Sequence, residues 1–95
     1  MASLRQIKKD IDYLVNEVIS DSYMALYIHP EKKDEVVEII KEAAECRNEF
    51  VTLANHPAEK HNASLVKKHY AVLRRDLLEK IDGLFEKLGS AVNEK

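Results

Sequence analysis

Glycine and proline, the residues that punctuate folded chains, occur only twice each among the 95 residues. A β-sandwich or barrel needs many tight turns and more of both residues, so the scarcity points to a few long elements joined by few loops. It also excludes a glycine-rich phosphate cradle. A single cysteine, Cys46, cannot staple its own chain, so there is no disulfide framework. Tryptophan is absent and aromatics make up 6%. No stretch reaches the roughly 18 apolar residues of a membrane span. The opening segment MASLRQIKKDIDYL lacks the apolar run of about 7 to 15 residues that marks a secretory leader. These features lead us to expect the reducing cytoplasm and no membrane contact. The net charge of −2 predicts no strong whole-molecule attraction to nucleic acid or anionic lipid.

The chain has 45% hydrophobic and 34% charged residues, a globular balance rather than a disordered one. A chain this short buries roughly 65% of its unfolded surface, enough for one core without a deep catalytic cavity. Three helical segments are expected, at about 3–28, 31–54 and 64–88. In the first, Ser3 with Gln6 forms a capping-box pattern. Leu4, Ile7, Ile11, Leu14, Val15, Val18, Ala25 and Leu26 then recur in steps of three and four. His29-Pro30 ends it, because proline disfavours helical geometry in the residue before it. Pro30 suits the first turn of the second helix, where Glu31, Asp34 and Glu35 complement the helix dipole. The apolar sector of that helix, from Val36 to Ala54, is wide enough to require two neighbours. After a loop at 55–63, Asn62 or Ser64 caps the third helix. Its inner face runs Leu65, Val66, Tyr70, Leu73, Leu77, Ile81, Leu84 and Leu88. Gly89 is expected as its C-terminal cap, leaving a short tail.

The expected architecture is therefore all-α, a single-domain, antiparallel up-down-up three-helix bundle that could complete its core as a dimer. Charge favours pairing the second and third helices. Segment 31–54 has seven acids against four bases, and segment 64–95 seven bases against five acids.

No complete catalytic set is present, so no enzyme activity, cofactor, metal or small-molecule ligand is expected. His56, His61 and His69 fall near one end, but no HExxH, ExxH or paired cysteine accompanies them. Cys46 lies mid-helix among Glu42, Glu45 and Glu49, which favours an inert structural thiol. Arg47 falls within the apolar sector of the second helix and is a candidate buried charge. It would need an acid from a neighbouring helix, with Asp10, Glu17, Asp21 and Asp76 as candidates, or its stem would lie along the core with its head in solvent. Arg47-Asn48 also matches the first two residues of the Arg-Asn-x-x-x-His motif of helical HEPN-type ribonucleases. The histidine position holds Thr52, so the proton-transfer residue is missing, and a degenerate nuclease or a metal-dependent enzyme ranks last among the readings.

Two surfaces remain. Lys67, Lys68, Arg74 and Arg75 form a basic patch on the third helix, a candidate anion or nucleic-acid contact without the aromatic platform that single-strand binders use. Against it stands an apolar surplus. The first helix ends Tyr23-Met24-Ala25-Leu26-Tyr27-Ile28, and the third carries an extra stripe of Ala71, Leu78, Phe85 and Val92. Tyr and Met are enriched at interfaces. The leading expectation is a non-enzymatic association module, a homodimer or a partner of another protein, with Tyr13, Met24, Tyr27, Leu78 and Phe85 at the interface.

Overall fold

The computed structural model describes residues 4–56 and 62–93. They form α1 (Leu4–Ile28), a 3-10 turn (Pro30–Lys32), α2 (Lys33–Asn55) and α3 (Ala63–Asn93), with no strand among the described residues. The Ser3 cap, His61 and the last two residues lie outside the described residues.

Each helix starts and stops for local reasons. At the α1–α2 junction the amide of His29 still donates to the Ala25 carbonyl at 2.7 Å. Pro30 then supplies its fixed φ to the first position of the 3-10 turn, and α2 starts after it, at Lys33. Asn62 caps α3: its side-chain oxygen accepts from the Leu65 amide at 3.1 Å, satisfying an otherwise orphaned donor. The C-terminus of α3 departs from expectation. Gly89 does not cap it, because the helix runs on to Asn93 and no described residue has positive φ. The cause is the stripe itself. Ala91 follows Leu88 at a three-residue step and is buried, and Val92 packs against the core. Continuing the helix buries both.

The core runs the length of the bundle. Ile7, Ile11, Val15 and Val18 of α1 meet Val36, Ala43 and Phe50 of α2 and Leu73, Leu77, Ile81 and Leu84 of α3. Ser22 is the buried polar residue of this core, and its hydroxyl donates to the Val18 carbonyl at 2.7 Å. Among the described residues no buried side-chain polar atom is left without a partner.

One charged contact ties each pair of helices and reports their directions. Asp12 of α1 meets Arg47 of α2 at 2.7 Å, and Glu42 of α2 meets Lys87 of α3 at 2.8 Å. Asp10 of α1 meets Arg74 of α3 at 2.8 Å. Residues late in α2 pair with early ones in both neighbours, as when His69 donates to the Leu53 carbonyl at 2.9 Å. So α2 runs antiparallel to α1 and α3, while α1 and α3 run parallel and in step. The result is a rod, 51 by 18 by 18 Å.

Candidate association surface

Arg47 corrects an expectation. It is not buried: its side chain is 48% exposed, and its Nε donates to Asp12 Oδ1. It lies at the margin of the α2 apolar sector, where the aliphatic stem can follow the α1–α2 seam while the guanidinium reaches solvent. Its partner is none of the four acids expected. Asp10, one of those four, instead takes Arg74.

That second pairing bears on the basic patch. Arg74 is committed to Asp10, whose other oxygen accepts from Gln6 at 3.0 Å. Arg75 stands 3.6 Å from Asp76. Lys67 and Lys68 are exposed and form no ion pair among the described residues. The expected four-residue patch is thus two free lysines followed by two arginines with carboxylate neighbours.

The nucleophile and the histidines sit as follows. Cys46 is buried, and burial pushes its thiol above the ordinary value, with Glu49 adding to the rise and Lys80 opposing it. A thiol held protonated is a poor nucleophile. His69 is engaged by the Leu53 carbonyl. Among the described residues no three His, Cys, Asp or Glu side chains gather as a metal site. No helix among them is long and apolar enough to cross a membrane.

The apolar surplus is where the structure brings predicted residues together. Tyr13 of α1 and Leu78 of α3 line one cavity of about 200 Å³ on the α1/α3 side, with Asp10, Leu14, Arg74 and Leu77. Both are substantially exposed, Tyr13 at 65% and Leu78 at 47%. Met24 lies three turns beyond Tyr13 on the same side of α1 and is 61% exposed. Tyr27, at 87%, is more exposed still but lies further round the helix, away from the α1/α3 seam. With Tyr23 and Ile28, which are also exposed, it forms an apolar end to α1. Phe85, the fifth, differs from the other four. It is half-buried and packs against the core, so only part of the ring remains for a partner.

The α1/α3 face therefore carries an apolar centre at Tyr13 and Leu78, with Met24 further along. By contrast the α2/α3 side is polar, with Glu42, Glu45, Glu49 and Lys80 around a cavity of about 90 Å³. The chain matches no family model, and no curated protein or solved structure is significantly similar to it.

Proposed function

We propose that this three-helix bundle works by protein association, through the face that α1 and α3 form together, without chemistry of its own. One observation carries the reading. The core is closed by residues that are almost wholly buried, yet Tyr13 and Leu78 remain outside it around an apolar cavity, and Met24 is exposed further along the same side of the rod. Isolated exposed apolar residues are ordinary, but exposed apolar residues from two helices brought together at one cavity favour a contact surface. The cytoplasm suits such a module, because its lone thiol would stay reduced there.

The test is the solution mass of the full chain by light scattering across a dilution series, alone and with native extract, for wild type and a Met24→Lys, Leu78→Lys variant. Both side chains are exposed, so circular dichroism and melting should change little. The expected result is association by the wild type that the variant loses. Association of equal strength in both would refute the reading.

A further inference from the structure

The α1/α3 face is self-complementary in charge about its apolar centre, and we propose that its occupant is a second copy of this chain, packed antiparallel about a two-fold axis through Tyr13 and Leu78. The inference rests on the association reading above and specifies the partner and its orientation.

Because α1 and α3 run parallel and in step, positions along the face follow from the rise of 1.5 Å per residue. Tyr13 and Leu78 share the central cavity. Arg75 lies about 5 Å from that centre towards the start of α3, and Glu17 of α1 and Asp82 of α3 lie about 5 Å from it the other way. Further out, Lys67 and Lys68 stand about 15 Å to the basic side, and Asp21 and Glu86 about 12 Å to the acidic side. All seven are exposed. The two central groups that would upset the pattern, Asp10 and Arg74, pair within the chain at 2.8 Å, whereas the contact of Arg75 with Asp76 is longer, at 3.6 Å, and more exposed.

A two-fold axis lying in this face and running across the rod, through Tyr13 and Leu78, sets the face of one copy on that of the other with α3 against α3 and α1 against α1. Arg75 of one copy then meets Asp82 of the second, and the lysines meet Glu86. Every contact occurs twice, as an isologous interface requires. The parallel alternative places like charges opposite one another and is disfavoured. Ala71 is exposed on the same face, and its small side chain lets the two backbones approach. A face 51 by 18 Å matches the roughly 800 Å² per partner that a specific interface of standard size buries.

The experiment is sedimentation or light scattering of the full-length chain, with three further samples: Arg75→Glu, Asp82→Arg, and an equimolar mixture of the two. Wild type should dimerise. Each single variant sets like charges against each other twice, and its dimer dissociation constant should rise about ten-fold at low salt. In the mixture, a dimer with one copy of each variant has opposite charges at both contacts, so dimerisation should return. No effect confined to one chain produces that rescue, because neither chain regains its own partner. A monomeric wild type at all concentrations overturns the second copy as occupant, and the association reading then stands or falls on the native-extract arm above. A dimer indifferent to the charge reversals, or not rescued by mixing, overturns the antiparallel arrangement; loss of that dimer in the Met24→Lys, Leu78→Lys variant would show the association reading surviving.

Discussion

At the scale of single residues, the buried thiol gives the clearest pH signature. Cys46 is 2% exposed, and burial disfavours its thiolate. The folded thiol therefore ionises above its ordinary value of 9.0, which the unfolded chain keeps. The folded state holds that proton more tightly, so the contribution of Cys46 is complete below 9.0 and is lost as pH rises through the folded value. Cys46→Ala removes the titration and leaves a small void. Urea unfolding under reducing conditions should show wild type ahead of the variant at neutral pH and the gap narrowing above pH 9. Parallel curves would mean that the folded chain does not hold the thiol protonated.

The residue scale also shows where sequence reasoning stops. Periodicity identified the inner faces well, because the core stripe needs only the helical repeat. It misplaced Arg47 and missed Asp12 as its partner. An up-down-up bundle can turn to either hand, and a helical wheel does not say which flank of α1 meets α2 and which meets α3. The cross-helix pairs record that choice: Asp12 faces α2, and Asp10 faces α3. Their half-exposed geometry contributes little stability, of order 0 to 1 kcal/mol each. Their value is in rejecting the other hand, where these charges would lack these partners.

At the scale of elements, α3 shows a local signal losing to packing. A glycine after the last periodic leucine is a good reason to end a helix, and Gly89 stands directly after Leu88. Burial of Ala91 and contact of Val92 with the core carry the helix past it. Gly83 also lies in ordinary helical backbone, and a Cβ built on it meets nothing within 4 Å. Alanine there would give up no required conformation and would reduce the freedom of the unfolded chain. Gly83→Ala should stabilise the bundle by about 0.5 to 1 kcal/mol, seen as a melting temperature higher by roughly 3 to 6 °C. A lower melting temperature would mean that the glycine serves packing unseen in the isolated bundle.

At the scale of the whole molecule, shape separates two ways of using the apolar surplus. The radius of gyration is 15.4 Å, above the about 13 Å of a compact domain near 100 residues, because three long helices make a rod. The side face holds Tyr13 and Leu78, while Tyr23, Tyr27 and Ile28 cluster at the end of α1. The sequence showed both groups but not their separation, which depends on how α1 is rotated against α3. Association through the end would set two rods in line and nearly double the 51 Å length. Antiparallel association through the side widens the rod and leaves its length almost unchanged, because the axis at Tyr13 and Leu78 lies near mid-height. Small-angle X-ray scattering should therefore show a dimer whose longest dimension is close to that of the monomer and whose cross-section is larger. A dimer of nearly doubled length would move the contact to Tyr23, Tyr27 and Ile28 and leave the charge pattern of the α1/α3 face without a role in dimerisation.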